Sequence, residues 1–535
     1  MFVEFIIFVR QSIKIIKSVM KLRTIVKIAI TSSVVLLCAG FVLYSFFRLS
    51  AAESNKDFNL FSLVPPSAAV VLMTDDAAEL VGEIEGLACS KNQQYLRVSK
   101  LFSYLKSYLN TLAEDTPHGL SRQMSQVIIS FHEPDNDRNQ VLYCTLGEGD
   151  SELIGRFIRK YMSSSYPAKT FRYKGEDIVI YPMIDGDFLA CYLKPDFLAV
   201  SYQKKLVEEV IDAYKAGRSL AADPEFRKVC TPKKSTSTAT LYARLNGVIG
   251  WTEFDMKLKE DFIYLSGTTP QPDSCFTFIH MLNRQEPVKG FPGKKIPSTA
   301  FYFVKQGVSD WTSLSAQNGK MKELLADLRE DSRIRHGQLL SHLTAEDGQE
   351  LFTCLFQRTD TLKGCAMLSS LSMPDVADAD NFLRSFMEKP SRIRYFYHQG
   401  RYYPVYRLSC TEFLGQLTHF ADRVSEVYAT LHDDCLLLAP DEESLSEYVR
   451  MLEHGEVLDE SSAYRAGMDG LSDSYQLIVM ADLTEVFRRF DKEIHLVPDF
   501  FFRNADFFRN FLLFGQISCS DGMVYPNIVL KYQAE

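Results

Sequence analysis

One stretch of the sequence constrains the fold more than any other: the 20 residues from Ile28 to Phe47 carry no charged side chain. A helix of that length spans the hydrocarbon core of a bilayer, which is about 30 Å thick, because each helical residue adds about 1.5 Å. Six lysines and arginines precede the stretch, whereas Arg48 is the single basic residue between it and Glu53. The sequence therefore predicts a transmembrane helix at 28–47, with the N-terminus in the cytoplasm and the C-terminal portion outside it.

A cleaved signal peptide is the main alternative to this anchor. Ser50, Ala51 and Ala52 resemble a small-x-small cleavage site. The uncharged run is longer than the roughly 7–15 residues of a signal peptide, and Arg48 lies between the run and the site, so an uncleaved anchor is favoured. The residues before Met20 are open to two interpretations. Either they precede the true start, or they form a short basic amphipathic helix on the inner leaflet.

The rest of the chain has the composition of a globular protein. Apolar residues make up 46% of the 535 residues, a normal share for folded domains, and the length predicts two or more domains. The net charge of −9 argues against nucleic acid as a partner, since phosphate binding needs a basic surface. Phenylalanine and tyrosine are plentiful, with 38 and 26 residues, which suits a sheet-rich core.

A weak internal repeat is the second constraint. Val64–Leu72 and Ile296–Phe303 both read as strands that begin at a proline. Later in the chain, Phe197–Ser201 and Cys435–Ala439 each follow an acidic turn and precede an amphipathic helix. The predicted domains are a basic tail at 1–27, the transmembrane helix at 28–47, a linker at 48–59, a first half at 60–285, a junction at 286–295 and a second half at 296–535.

The arrangement of neighbouring strands predicts the fold class. A polar turn separates Val127–Phe131 from Gln140–Thr145, and Phe262–Leu265 with Phe276–Ile279 reads as a further strand pair. Strands that come in hairpins, without a helix between each pair, favour antiparallel sheets. The sequence therefore predicts an α+β protein. It has an N-terminal transmembrane helix followed by two similar, duplicated halves of largely antiparallel sheet and helix.

Three short stretches carry a resemblance to a known family. They are Leu63–Ala69 at the start of the soluble part, the strands between Asp187 and Ser201, and Leu220–Phe226 after the following helix. Together with the basic N-terminus and the anchor, they resemble a family of uncharacterised, single-anchor bacterial envelope proteins described as a domain of unknown function. The resemblance covers most of residues 60–535. It implies no activity, and it implies that the outer compartment is a periplasm and the anchoring membrane the bacterial inner membrane.

Signatures of catalytic and metal sites are missing or broken. Asp135, Asp137 and Asn139 begin like a calcium loop, but the glycine and the bidentate glutamate that such a loop needs are missing. Ser103 and Lys106 fit S-x-x-K without the partner motifs of penicillin-recognising enzymes. The histidines show no metal-ligand spacing. We predict no catalytic residue, no metal and no cofactor, although a site assembled from dispersed residues stays open.

The cysteines give no further constraint on the fold. None of those outside the predicted anchor forms C-x-x-C, and many lie in apolar strands. Buried free thiols and disulfides both stay open, because spacing cannot give connectivity.

The C-terminal region has an unusual composition. Nine phenylalanines occur between positions 487 and 514, interleaved with arginines. One interpretation is a core helix and strand that seal the second half. The other is an exposed patch for a partner, because phenylalanine and arginine are enriched at interface cores. The candidate partner-binding residues are Phe501, Phe502, Phe508, Arg503 and Arg509.

These observations favour a non-enzymatic envelope protein. We expect its large C-terminal portion to face the periplasm and to bind or scaffold another envelope protein, while residues 28–47 contact the lipid bilayer. An enzyme with a dispersed site is the alternative, as is a lipid-binding or small-ligand-binding protein.

Overall fold

The structure is a computed structural model that describes most of the chain beyond residue 57. The described residues are 58–92, 126–132, 138–146, 154–155, 158–159, 166–183, 186–230, 237–245, 250–271, 278–309, 349–359, 364–373, 376–386, 393–408, 427–491, 494 and 497–534. The predicted transmembrane helix at 28–47 and the basic tail lie outside them. Within the described residues, no helix is long and apolar enough to cross a membrane.

The described part consists mainly of β-strands. The strands are Val70–Thr74 (β1), Val127–Phe131 (β2), Gln140–Thr145 (β3), Lys169–Tyr173 (β4), Glu176–Pro182 (β5), Phe188–Leu193 (β6), Phe197–Ser201 (β7), Ala239–Leu245 (β8), Gly250–Lys259 (β9), Phe262–Pro270 (β10), Val288–Lys289 (β11), Ala300–Val308 (β12), Gln349–Gln357 (β13), Cys365–Ser372 (β14), Arg394–His398 (β15), Arg401–Leu408 (β16), Val427–His432 (β17), Cys435–Ala439 (β18), Ser474–Tyr475 (β19), Leu477–Asp482 (β20), Phe511–Ser520 (β21) and Met523–Tyr532 (β22). The α-helices are Ala77–Gly86 (α1), Lys204–Ala216 (α2), Pro224–Val229 (α3), Phe278–Asn283 (α4), Val376–Phe386 (α5), Glu442–Glu453 (α6), Ser462–Met468 (α7), Leu483–Arg489 (α8), Asp499–Arg503 (α9) and Ala505–Phe508 (α10).

Twenty of these strands form one continuous sheet. Its spatial order is β4, β5, β6, β7, β3, β2, β1, β8, β9, β10, β22, β21, β20, β12, β13, β14, β18, β17, β16 and β15. All of these pairings are antiparallel, and β11 with β19 forms a separate two-stranded sheet.

The predicted fold class is therefore wrong as it was stated. It placed an N-terminal transmembrane helix before two similar, duplicated halves of sheet and helix, whereas the described strands form one large sheet that runs across the predicted junction. The physical reason is the pairing of β10 with β22, in which Ile263 lies opposite Leu530 and Ser266 opposite Asn527. Each of these strands would otherwise expose a long row of unpaired main-chain groups. Apolar patterning indicates that both strands exist but does not show that their free edges meet.

The two sides of the β10–β22 pairing have the same strand order. Outward from β10 the order is β9, β8, β1, β2, β3, β7, β6, β5 and β4, and outward from β22 it is β21, β20, β12, β13, β14, β18, β17, β16 and β15. Strand β7 lies between β3 and β6, and β18 lies between β14 and β17. Each of these two strands leads directly into a helix, α2 or α6. The sheet thus ends in two hairpins at equivalent places, β4–β5 and β15–β16.

Helix α2 illustrates how the helices cover the sheet. Its apolar residues Leu206, Val207, Val210 and Ile211 are buried against the sheet, at the spacing of one helix face. The helix ends at Gly217, whose φ of 61° is left-handed and suits glycine. The charged residues of α2 consequently face outward, where they meet the end of the β4–β5 hairpin.

Several cysteines belong to the apolar core. Cys89, Cys191 and Cys354 are buried free thiols. Burial raises the pKa of each of these three thiols. They act as small core residues, in keeping with the first of the two interpretations of the cysteines.

Candidate functional site

Helix α2 forms one wall of a surface groove of about 510 Å³. The wall carries Glu209, Asp212, Ala213 and Ala216, which share a helix face because they are three or four residues apart. The remaining lining residues are Pro65, Pro66 and Ser67 before β1, Lys174 in the β4–β5 turn, and Lys215 and Arg218 near the end of α2. Charged groups of both signs therefore surround a floor of proline and alanine.

Two ion pairs hold the β4–β5 turn against helix α2. Lys174 Nζ lies 2.5 Å from Asp212 Oδ1, and Lys215 Nζ lies 2.9 Å from Glu176 Oε1. Hydrogen bonds from Lys194 and Lys215 lower the pKa of Glu176 to about 2. The hydrogen bond from Lys174 lowers the pKa of Asp212. Pairs of this kind on a solvated surface stabilise only modestly, so their main effect is to fix the turn beside the groove.

A chain of hydrogen bonds runs inward from the groove. Ser67 Oγ donates to Glu209 Oε2 over 3.1 Å and lies 2.9 Å from His132 Nδ1. His132 Nε2 is 2.9 Å from Ser130 Oγ, and Ser130 Oγ is 3.0 Å from the hydroxyl of buried Tyr143. Burial lowers the pKa of His132 to about 4, so its imidazole is neutral at pH 7.

The protons of this chain fit one arrangement. Ser67 has a single hydroxyl proton, which it donates in the hydrogen bond to Glu209 Oε2, so Ser67 must accept a hydrogen bond from Nδ1–H of His132. Nε2 of the neutral ring then accepts from Ser130, and Ser130 accepts from Tyr143. His132 presents a proton to Ser67 rather than a lone pair, and it cannot act as the general base for that hydroxyl. The pair is a hydrogen-bonded support for the groove, not a nucleophile with its base.

His132 leads to a prediction about pH. The folded pKa of about 4 lies below the ordinary value of 6.5, so the unfolded chain binds more protons in this interval and stability falls as the pH falls. We expect His132 to contribute a loss of up to about 2 kcal/mol between pH 7.5 and pH 5. Urea unfolding of the wild type and of His132→Gln at these two pH values measures it. The variant should lose clearly less stability than the wild type on acidification. Equal losses in the two proteins would contradict the lowered pKa of His132.

The hairpin β15–β16 at one end of the sheet carries an unusual exposed surface. Tyr397 lies opposite Tyr402 and Phe396 opposite Tyr403, and successive residues of a strand point to opposite faces. Phe396 and Tyr403 stack at 5.0 Å on the face toward α6, where the Tyr403 hydroxyl donates to Glu453 over 3.1 Å. Tyr395 therefore shares the opposite face with Tyr397 and Tyr402.

Tyr395, Tyr397 and Tyr402 together form a surface that we call the tyrosine face. The exposed fractions of Tyr395, Tyr397 and Tyr402 are 54%, 62% and 70%. Among the described strands, β15 pairs only with β16, so the tyrosine face lies beside the outer edge of the sheet. Residues 393–408 contain three arginines and no acidic residue, in a chain of net charge −9. This end of the sheet is aromatic and locally basic.

The predicted partner-binding residues at the C-terminus lie in a phenylalanine cluster formed by α8, α9 and α10. Phe508 is buried, with its ring centroid 4.8 Å from that of Phe501. Phe501 and Phe502 are half-buried and pack on the core, whereas Arg503 and Arg509 are exposed. The structure brings the three phenylalanines together as packing residues and leaves the arginines at the surface.

Sequence reasoning did not single out the groove or the tyrosine face. Ser67 lies within the stretch that carried the family resemblance, yet a lone serine after two prolines gives no signal of its contact with Glu209, which is distant in sequence. The tyrosine face did leave a signal: five of the nine residues from 395 to 403 are tyrosine or phenylalanine, within a segment free of acidic residues. Such a concentration of aromatic residues is typical of β-strands. Among the described residues, no group of three His, Cys, Asp or Glu side chains could hold a metal ion.

Comparisons with known proteins give a family-model match for part of the chain. No curated protein matches the chain. A solved structure titled "Structure of crystal form I of TP0453" aligns with 41% of this chain and 81% of its own at 14% identity. The TM-score of that alignment is 0.23, a value that carries no argument about fold or function. Residues 28–261 match the model of the family described as "Protein of unknown function (DUF3352)", which confirms the expected resemblance of this part of the chain to an uncharacterised family.

Proposed function

We propose that this protein is a non-enzymatic binding or scaffolding module of the bacterial envelope, and that the tyrosine face is its main contact. The observation that carries the proposal is the grouping of three largely exposed tyrosines on one face of an edge hairpin. Tyrosine is enriched at protein interfaces because its ring gives a large apolar contact while its hydroxyl stays hydrogen-bonded. Scattered single aromatic residues would need no such explanation, but a group of three does.

The rings and hydroxyls of the tyrosine face favour a protein partner that offers an apolar segment with hydrogen-bond acceptors. Arg394 and Arg401 lie on the other face of the hairpin, toward α6, where Arg394 reaches Glu442 over 2.8 Å. A partner segment that carries apolar side chains next to a hydrogen-bond acceptor would complement the three tyrosines.

The proposed location rests on the sequence. The excess of lysine and arginine before residue 28 supports an inner-membrane protein with the uncharged stretch 28–47 in the bilayer and the C-terminal portion in the periplasm. A soluble periplasmic partner, or the periplasmic part of another envelope protein, could then reach the tyrosine face.

The C-terminal cluster is a second proposed contact of smaller extent. Phe500 is 42% exposed, and the exposed Arg503 and Arg509 flank the half-buried Phe501 and Phe502. Burial of Phe508 leaves the rim of this cluster, not its centre, for a partner.

Substitution of the tyrosine face tests the proposal. The triple variant Tyr395→Ser, Tyr397→Ser, Tyr402→Ser should reduce recovery of the partner at least tenfold after crosslinking in native membranes. Its thermal midpoint should stay close to that of the wild type, because exposed side chains contribute little to stability.

A matched control separates this effect from a general loss of exposed aromatic residues. Tyr166→Ser with Phe188→Ser removes rings that are 72% and 58% exposed elsewhere on the surface. This control should recover the partner as the wild type does. Equal recovery by the triple variant and the wild type would contradict the tyrosine face as the contact. A turnover that one polar substitution abolishes without unfolding the protein would contradict the non-enzymatic class.

A further inference from the structure

The helix that walls the groove has an equivalent in the second half, which provides an internal comparison. Helix α2 follows β7, and α6 follows β18 at the corresponding place in the sheet. A glycine in the left-handed conformation closes each helix, Gly217 with φ 61° and Gly455 with φ 70°. Counted from the first helical residue, Glu209 corresponds to Glu447 and Asp212 to Arg450. The residue after the glycine is Arg218 in one half and Glu456 in the other.

In the second half, one arginine satisfies the charges of this helix face. Arg450 Nε lies 2.8 Å from Glu447 Oε2, and Arg450 Nη1 lies 3.1 Å from Glu456 Oε1. Its Nη2 also donates to Thr359 Oγ1 over 3.2 Å. A cationic side chain thus bridges the two carboxylates along the helix.

In the first half, α2 has no arginine at the position of Arg450. The charged residues at the two ends of the groove, Glu209 and Arg218, have opposite sign. Asp212 replaces the arginine and turns to Lys174, 2.5 Å away. Glu209 accepts a hydrogen bond from the Ser67 hydroxyl and forms no ion pair among the described residues. Arg218 is exposed, and its guanidinium forms no hydrogen bond or ion pair within 4 Å in the described part of the chain, although its charge helps to lower the pKa of Asp212. The groove therefore presents a carboxylate at one end and a guanidinium at the other.

We propose that this groove binds a short peptide through both of its free termini. The ammonium group would donate to the Glu209 carboxylate beside Ser67, and the terminal carboxylate would accept from the Arg218 guanidinium, to which it can bond with both oxygens. Pro65, Pro66, Ala213 and Ala216 supply an apolar floor for small side chains. The ligand takes the bridging place that Arg450 occupies in the second half.

The dimensions of the groove select the length of the ligand. Glu209 lies seven residues, or about 10 Å along the helix axis, before Ala216 at the end of α2, and Arg218 follows two residues later. Three extended residues also span about 10 Å, at roughly 3.3 Å each. A free amino acid holds its two charged groups much closer together, so a tripeptide is the ligand expected to reach both charged ends. The volume of about 510 Å³ is ample for such a ligand.

Calorimetric titration of the full-length protein with four probes tests the inference. Trialanine should bind, whereas N-acetyl-trialanine and trialanine amide should each bind at least tenfold more weakly, since each lacks one terminal charge. Free alanine should also bind at least tenfold more weakly, because it cannot bridge the ends. Absence of trialanine binding at millimolar concentration would overturn the proposal. Affinities of the two capped peptides equal to that of trialanine would overturn it as well.

A variant that copies the second half supplies an independent test. Asp212→Arg with Arg218→Glu reproduces the arrangement of Arg450 and Glu456 and should abolish trialanine binding. Glu443→Arg with Arg465→Glu is the matched control, since it makes the same two charge changes at exposed helical positions of the second half. The control should bind trialanine as the wild type does. Wild-type affinity in the copying variant would overturn the proposal. If that variant fails to fold, the comparison of capped and free peptides on the wild type decides alone.

Discussion

Replacing Gly267 with alanine should destabilise the protein by about 2–3 kcal/mol, because an added methyl group has no room at the centre of the sheet. A Cβ at Gly267 would lie 2.4 Å from the carbonyl oxygen of Pro526 and 2.6 Å from the ring of Phe254. The Pro526 oxygen belongs to the main chain of β22, so it cannot move without opening the β10–β22 pairing. That pairing is the one that joins the two sides of the sheet among the described strands.

Urea unfolding followed by circular dichroism measures this effect. Gly82→Ala is the matched control, because nothing lies within 4 Å of a Cβ at that position in α1. Alanine also favours a helix over glycine by about 0.5–1 kcal/mol, so the control should be neutral or slightly more stable. A Gly267→Ala variant as stable as the wild type would contradict the close approach of β10 and β22, and with it the single sheet.

Phe508→Ala should cost about 3 kcal/mol of unfolding free energy, because Phe508 is a packing residue of the C-terminal cluster. Its side chain is 7% exposed. Its ring lies 4.8 Å from the rings of both Phe501 and Phe507. Truncation removes these contacts and leaves a cavity that short helices such as α9 and α10 can only partly close.

Phe500→Ala serves as the control in the same cluster. Phe500 is 42% exposed and lies 5.6 Å from Phe508, so its truncation should cost under about 1 kcal/mol. Chemical unfolding of both variants gives the comparison. Near-wild-type stability of Phe508→Ala together with lost partner recovery would restore Phe508 to the contact surface, contrary to its burial.

The sequence was informative where elements are local and strongly patterned. The hairpin of Val127–Phe131 with Gln140–Thr145 was predicted and is confirmed, since Ile129 lies opposite Leu142. Its apolar residues and polar turn are adjacent in the chain, so no distant contact is needed to specify it. The amphipathic helices predicted after Phe197–Ser201 and Cys435–Ala439 are confirmed as α2 and α6.

Short apolar runs and long-range pairing were beyond the sequence. Phe262–Leu265 was expected to pair with Phe276–Ile279, but its strand, β10, pairs with β9 and β22, and the later run enters helix α4 at Phe278. Four apolar residues fit a strand and a helix equally well. The edge hairpins β4–β5 and β15–β16 were missed because polar residues and tyrosines interrupt their apolar pattern.

The candidate sites were still harder to predict. Glu209 and Ser67 meet only because α2 packs beside the segment that leads into β1, and Arg218 becomes distinctive only when the equivalent position is seen to hold Glu456. The phenylalanine-rich region was correctly noticed as unusual. Composition alone could not decide which of its rings face the core, because that depends on how α8, α9 and α10 lie on the sheet.

Photo-crosslinking from the tyrosine face tests the central claim most directly. A photoreactive phenylalanine analogue placed at Tyr397 in the full-length protein, in its native membrane, should yield one discrete adduct, and mass spectrometry should place the crosslink in one segment of a single envelope protein. The same analogue at Tyr166 should not yield that adduct. The claim is contradicted if position 397 gives no adduct, or if both positions give the same set of products.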